Sequence, residues 1–535
     1  MKQIILALLL LFPCCILYAD EICIVPYPNQ IEVFEGSFQL RKTVTYYVDG
    51  NAENEQKHLL RFLEDELKLK TQKTSMSKAS ICLVVDKAQG ENKESYTLDV
   101  NKGGVVIKAP ANAGLFYGIQ TLRQLIRHNS NSTISVPFVA IKDSPRFNWR
   151  AMLLDEARTF HGMEVIKQLI DEVSFLKINR LQIHLTDDQG WRVEIKKYPK
   201  LTEINTPFTL SDDLEHSGDE NAKKGFYNQD EIKELVQYAR DRHITIVPEI
   251  EMPGHASAAI SAYPWLGSKK SALKIPVERK PVRVDRIYFD IFDISDPRTI
   301  KFLQDVLDEV AVLFQSDVIH IGGDEVNFSQ WKESAMVNTF MKEKEIGSPA
   351  ELQRWLTNKM SHYLEGKNIR MMGWNDIMGQ DLHNYAENNE EDFQIKENLS
   401  QGTIVHFWKG DPKLIAETVG KGHDVVNAHH VYTYMDYTYQ SIPVEKAYMF
   451  EPLPSDLSPD LHHKVIGLGC QMWGGSVCTI ETVEKLHRQI FPRVAAYAEV
   501  GWTKPEIKDF MRFKYNLKSL MQRWKSRNIS FHEDI

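Results

Sequence analysis

The sequence predicts an α/β protein in which a (β/α)8 TIM barrel is preceded by a small α+β domain. From Phe147 onward eight short apolar runs recur, and helical periodicity fills most of the intervals between them. Buried strand alternating with helix eight times is the pattern of that barrel. Before Asp143 the pattern changes to short alternating strands with two helical stretches. At 535 residues the chain accommodates a barrel of about 250 residues or more together with a further domain.

The elements follow in order. Residues 1–19 read as an export signal, with Lys2 as the positive start, Ile4 to Leu11 as the apolar run and Leu17-Tyr18-Ala19 as the cleavage site. Cys14 and Cys15 also allow a lipid anchor, but Leu11-Phe12-Pro13 lacks the small residues such sites prefer, so soluble export ranks first. In the small domain, 20–143, strands are expected at Tyr96 to Val100 and Val105 to Ala109, with helices at Gln56 to Leu69 and Ala113 to Arg127. The barrel, 145–505, has expected strands at Trp149 to Leu154, Arg180 to Leu185, Ile244 to Glu249 and Val318 to Gly322. The other four are Arg370 to Trp374, Thr403 to Trp408, Asp424 to Ala428 and Val465 to Gly469. After the first strand, Val165, Ile166, Leu169, Ile170, Val173 and Leu176 fall on one helical face. The tail, 506–535, reads as a charged amphipathic helix over Lys508 to His532 that packs on the barrel.

Composition narrows the function. Lys and Arg number 64 against 73 Asp and Glu, a net charge of −9, which argues against nucleic acid as a partner. Beyond the leader no stretch reaches membrane-spanning length, so no membrane span is expected. Cys23, Cys82, Cys470 and Cys478 are too few for a disulfide scaffold and lack zinc-site spacing, although one bridge, Cys470 to Cys478, is compatible with the sequence.

In this barrel fold functional groups gather at the C-terminal ends of the strands. Those ends carry Asp155 and Arg158, His184 and Asp187, Glu249 to His255, Asp324-Glu325, Trp374, Trp408, Tyr432 to Asp436, and Trp473. Each alone has an ordinary reading: a tryptophan packs a core, an interior histidine is satisfied, and an Asp-Glu pair opens a helix. Together they describe a rim that stacks on a polar ring and bonds its hydroxyls, which points to carbohydrate. Asp324-Glu325 follows the apolar run Val318 to Ile321 and two glycines, where backbone and ligand approach closely and a buried acid pair must be compensated or shift its pKa.

The strings LDEARTF (Leu154 to Phe160), HLTDDQGWR (His184 to Arg192), PEIEMPGH (Pro248 to His255) and HIGGDEV (His320 to Val326) resemble glycoside hydrolase family 20, which includes the β-N-acetylhexosaminidases. The region before the barrel, with SYTLDV and GLFYGIQTLRQLI, resembles that family's N-terminal domain. The resemblance implies exo-acting hydrolysis of a terminal N-acetylglucosamine or N-acetylgalactosamine from a glycan by a retaining, substrate-assisted mechanism, without cofactor or metal. It implies Glu325 as acid and base, Asp324 as the group that orients the 2-acetamido function, and Asp187 and His255 as residues that tune the acid. Arg158 would hold the C3 and C4 hydroxyls, Trp374 and Trp408 wall the acetamido pocket, and Trp473 underlie the ring. Tyr434 would donate to the acetamido oxygen and Asp436 face the C4 to C6 side.

Two positions depart from the family pattern: Gly475 replaces a glutamate that usually follows the stacking tryptophan, and Gln182 stands where the second strand often has another histidine. A metal-dependent barrel hydrolase, with His184, His255, His320 and Asp324 as ligands, is the rival enzyme, but no His-x-His or His-x-x-x-His spacing supports it. A non-catalytic sugar-binding protein would keep the tryptophans without needing the Asp324-Glu325 pair. Two loops stand out by charge. Asp381 to Glu397, acidic, reads as solvated, and Lys269 to Arg286 holds seven basic against two acidic side chains. Such a basic run is usually a solvated loop; with Gly475, it also raises the alternative of an anionic, for example sulfated, glycan.

Overall fold

The computed structural model describes residues 22–130, 133–203, 225–271, 273, 290–379, 398–474 and 482–535. Residues 1–21 with the expected export signal, most of the basic loop, the acidic loop, Gly475 and Cys478 lie outside the described residues.

The small domain is one mixed sheet. Its strands lie in the order Gln30–Leu40, Ile134–Asp143, Tyr96–Asn101, Gly104–Ala109, Ile81–Val85, Thr43–Val48, Lys70–Lys73, with Arg127–His128 also pairing Ile134–Asp143. The helix Asn112–Leu125 lies against this sheet because Gly114 and Gly118, one turn apart, leave no Cβ. A Cβ at Gly114 would stand 2.1 Å from the Ser95 carbonyl oxygen, and one at Gly118 2.5 Å from the Ile107 side chain. The first expected helix divides into an α-helix, Glu53–Leu60, and a wider π-helical turn, Arg61–Glu66.

The barrel closes from eight parallel strands: Trp149–Asp155, Arg180–His184, Thr245–Glu249, Val318–His320, Arg370–Trp374, Ile404–Phe407, Asp424–Asn427 and Val465–Met472, the last pairing with the first. All eight coincide with the expected runs. Their lower inward positions form an apolar plug of Trp149, Ala151, Val247, Val318, Met372, Ile404 and Val426, as layered packing of such a barrel requires. Above it the interior turns polar, with Gln182, His184, Glu249, His320, His406 and Gln471 all buried.

The helices pack outside as amphipathic stripes. Met163–Phe175 buries Ile166, Leu169, Ile170 and Val173, and Gln229–Arg240 starts with a capping box of Asn228 and Glu231. The tail forms the helix Phe510–Ser526, burying Phe513, Leu517, Leu520 and Trp524, and its Arg523 pairs with Glu172 of the first barrel helix at 3.0 Å. The two domains dock through a buried polar knot, in which Asp143 accepts from Tyr96 at 2.7 Å, Lys177 at 3.1 Å and the Trp502 indole at 2.9 Å. Removing any of these donors would leave a buried carboxylate short of partners. Among the described residues no helix is long and apolar enough to cross a membrane.

Candidate active site

Strand register assembles the site. Asp155, His184, Glu249 and His320 are lateral neighbours across the first four barrel strands, so one row of inward positions concentrates two carboxylates and two imidazoles. Arg158 neutralises the first of them. Its guanidinium meets Asp155 at 2.9 Å and Asp187 at 2.6 Å and lies 5.2 Å above the Trp473 ring.

Asp187 is the centre of the charge arrangement, holding Arg158, the His184 Nε2 at 2.9 Å and the His255 Nδ1 at 3.2 Å. Burial alone would raise its pKa, but Arg158 and His255 hold it well below the usual range. His184 is buried, which opposes its charge, yet Glu249 and Asp187 push its pKa up to about 10. His255 likewise stays cationic against burial because Asp187 faces it. From there its Nε2 reaches 3.7 Å from Asp324 and 3.9 Å from Glu325.

The turn after the fourth strand presents these two carboxyls. Gly322 and Gly323 have φ +65° and +92°, and a Cβ on Gly322 would lie 1.7 Å from a Glu251 carboxylate oxygen. Glu325 itself has φ 51° and His255 φ 46°, left-handed conformations that cost a non-glycine residue about 1 kcal/mol or more and that collect at functional sites. The turn leaves the Glu325 side chain half exposed while that of Asp324 is mostly covered. Burial, together with Asp376 and Glu325, pushes Asp324 up to about 7 against the opposing charge of His255.

Around the pair stand aromatic walls. Trp374, Tyr434 and Trp473 cluster with Leu153, and Trp408 packs against them, half-buried. Trp408 and Tyr434 are nearly parallel, 12° between planes with centroids 6.1 Å apart. Trp374 lies flat on His406, centroids 4.2 Å apart, and its indole N–H donates to Glu249 at 2.9 Å. Asp436 is buried beside Tyr434, whose hydroxyl pKa is raised by burial and by Asp324 and Asp436. The structure therefore brings Arg158, Asp187, His255, Asp324, Glu325, Trp374, Trp408, Tyr434, Asp436 and Trp473 to one end of the barrel.

Sequence reasoning placed Glu249 to His255 on the rim but gave Glu249 and Glu251 no role, and it missed Asp376 altogether. Glu249 sits under Trp374, Glu251 fits beneath the Gly322 turn, and Asp376 accepts both the Trp408 indole N–H at 2.8 Å and the Glu325 backbone N–H at 3.3 Å. The charge of Glu251 is suppressed by burial and by Asp324, which raise its pKa well above the usual carboxyl value. The PEIE string held the signal for Glu249 and Glu251. Nothing in the sequence pairs Asp376 with Glu325.

Among the described residues three groups offer metal-ligand atoms within 4.8 Å of one another: His184 with Glu249 and Glu251, Asp187 with Asp188 and His255, and His255 with Asp324 and Glu325. Each depends on His184 or His255, whose protonated form the neighbouring carboxylates favour, so a metal ion there would have to displace that proton. Cys470, for which the sequence left a bridge to Cys478 open, is a free, buried thiol whose hydrogen is directed to the Ala151 carbonyl at 3.5 Å; Cys478 lies outside the described residues.

Acid side chains beside an aromatic bowl at the C-terminal mouth of a closed barrel mark an enzyme that cleaves sugars, a glycoside hydrolase. Residues 147–505 match the model of the glycosyl hydrolase family 20 catalytic domain, and residues 21–144 match domain 2 of the same family. The chain belongs to glycosyl hydrolase family 20. It is 33% identical to a β-hexosaminidase of Porphyromonas gingivalis, over 96% of this chain and 65% of that protein's length. Its fold is similar to the exo β-N-acetylglucosaminidase of Vibrio harveyi solved with N-acetylglucosamine, with TM-score 0.80, 28% identity, and 96% of this chain and 78% of the other covered. A β-N-acetylhexosaminidase of Bacteroides fragilis matches with TM-score 0.80 and 28% identity over 95% of this chain and 96% of its own.

Proposed function

We propose that this chain is an exo-acting β-N-acetylhexosaminidase that releases terminal β-linked N-acetylglucosamine or N-acetylgalactosamine from glycans, with retention and with the substrate's own acetamido group as nucleophile. The carrying observation is the adjacent pair Asp324 and Glu325, in one aromatic bowl and both faced by His255 at 3.7 and 3.9 Å. The acetamido carbonyl oxygen attacks the anomeric carbon, the glycosidic C–O bond breaks, and Glu325 gives its proton to the departing oxygen. Asp324 accepts the acetamido N–H and offsets the positive charge of the oxazolinium ring. Glu325, now a carboxylate, takes a proton from water, which opens that ring at the same carbon. The N–H bond to Asp324 favours its ionised form, opposing the burial that raises its pKa. Arg158, Trp374, Trp408, Trp473, Tyr434 and Asp436 take the binding roles that the family pattern assigns them.

A finer reading adds an anionic glycan, such as a 6-sulfated sugar. The chain that follows the basic loop lies beside the site: Phe292, six residues after Arg286, donates its N–H to the Pro253 carbonyl at 3.0 Å, two residues from His255. Gly475 removes one acidic side chain from the family pattern. The leader sequence supports an exported enzyme, periplasmic or secreted.

The test is a chromogenic panel of N-acetylglucosaminide, N-acetylgalactosaminide and plain glucoside. Cleavage of N-acetyl sugars with retained configuration, and none of the plain glucoside, is expected. A covalent glycosyl–enzyme trapped on a carboxylate would refute the mechanism.

A further inference from the structure

The Glu249 carboxylate, fully buried, stands where two halves of the site meet. Its Oε1 accepts the Trp374 indole N–H at 2.9 Å, and its Oε2 accepts the Gln182 amide at 2.7 Å and faces the His184 Nδ1 at 3.3 Å. His320 approaches at 3.2 Å, but its Nδ1 already accepts the Gly322 N–H at 3.0 Å and so carries no proton for Glu249. Burial keeps His320 and His406 neutral, with His320 down to about 4. Among the described residues the other charged or titratable groups around the pair include Glu251 and Asp187, which face His184, Asp155 on the first strand, and Asp324, on whose carboxyl the Glu249 charge also acts. Among the described residues His184 is the cation that faces Glu249, and its second nitrogen binds Asp187, which holds His255.

We propose that Glu249 is a positioning residue that holds the Trp374 wall of the acetamido pocket and the His184, Asp187, His255 line in a single arrangement, with Gln182 as its non-titrating clamp. This rests on the hexosaminidase reading. It gives a physical meaning to Gln182, which departs from the family pattern: an amide at this position donates a hydrogen bond without bringing a second charge to the cluster. Because both sides lean on one carboxylate, a change there disturbs sugar binding and acid–base chemistry together.

The experiment compares the wild type with Glu249→Gln and Gln182→Met, reading kcat/KM against pH on 4-nitrophenyl N-acetyl-β-glucosaminide and inhibition by the thiazoline analogue of the intermediate. In Glu249→Gln, kcat/KM should fall about a hundredfold and thiazoline affinity about tenfold. The alkaline limb should also move down by about one pH unit or more, because His184 loses the charge that keeps it protonated and the Asp187–His255 line that faces the acid Glu325 loses that support. Gln182→Met removes no charge and acts only by letting the unclamped Glu249 drift from both Trp374 and His184, so both changes should appear at smaller amplitude, and this variant decides the matter if Glu249→Gln does not fold. Wild-type thiazoline affinity and pH limbs in the folded variant, whatever its melting temperature, would overturn the proposal. Movement of one without the other would also overturn it, since the two sides would then be independent. A wild type that does not cleave the N-acetyl substrate refutes the proposed function itself and this inference with it, whereas a cleaving wild type with unresponsive variants refutes only the role of Glu249.

Discussion

The backbone N–H of Glu325 donates to Asp376 Oδ1 at 3.3 Å, so the loop after the fifth strand aims the carboxyl carried by the fourth. The other oxygen of Asp376 accepts the Trp408 indole N–H at 2.8 Å. One side chain thus sets both the strained turn of the acid and the orientation of an aromatic wall. Asp376→Ala should lower kcat/KM by about 10- to 100-fold, because small misplacements of a reacting group are that costly. Asp376→Asn, which keeps one acceptor, should lose less, and equal kinetics in both variants would show that Asp376 aims neither group.

Glu325→Gln should cut turnover of a disaccharide about a thousandfold while leaving the fold intact, since the amide is near-isosteric but donates no acidic proton. An aryl glycoside with a good leaving group needs less protonation and should be spared. Equal losses on the two substrates would count against Glu325 as the acid.

Asp324 carries a pH signature in both activity and stability. With its pKa up to about 7 through burial, kcat/KM should fall as the pH drops through that value, because the protonated form cannot accept the acetamido N–H. Asp324→Asn should lower turnover about a hundredfold or more and abolish this limb. The stability effect has the opposite sense. The unfolded aspartate titrates near about 3.9, so between that value and about 7 the native state binds more protons than the unfolded one. Native stability therefore decreases as the pH rises through this window. Asp324→Asn lacks the term and should melt higher than the wild type at pH 8, with the advantage gone by pH 4. An advantage that did not depend on pH would exclude a raised Asp324 pKa.

Charge attraction between the basic loop and an anionic glycan has its own test in salt. If it operates, kcat/KM for a 6-sulfated substrate should fall with ionic strength more steeply than for the neutral analogue, as screening shortens the reach of the loop's charges. Gly475→Glu should then reduce activity on the sulfated sugar and preserve it on the neutral one. Identical responses from both substrates would leave a plain exo-hexosaminidase.

The eight barrel strands were legible because each is a short run buried on both sides, bounded by amphipathic helices whose apolar stripe is a local property of the chain. Asp187, His255, Asp324 and Glu325 were legible because the barrel places strand ends on one rim, and because four motifs occur in order. The π-helical turn at Arg61–Glu66 was not legible, since its residues have the same spacing as an ordinary helix.

What the sequence determined by itself is whatever depends on nearest neighbours along the chain: periodicity, the glycines before Asp324, and which chemical groups reach the mouth of the barrel. What only the tertiary structure decided is which of those groups oppose one another. Register sets His184 beside Glu249 and Glu249 beside His320, and closure of the barrel swings Trp374 over Glu249 and Asp376 under Glu325. Those contacts fix which imidazoles stay charged and which carboxyl keeps its proton, because electrostatic shifts in a buried site depend on distances of a few ångströms between residues far apart in sequence.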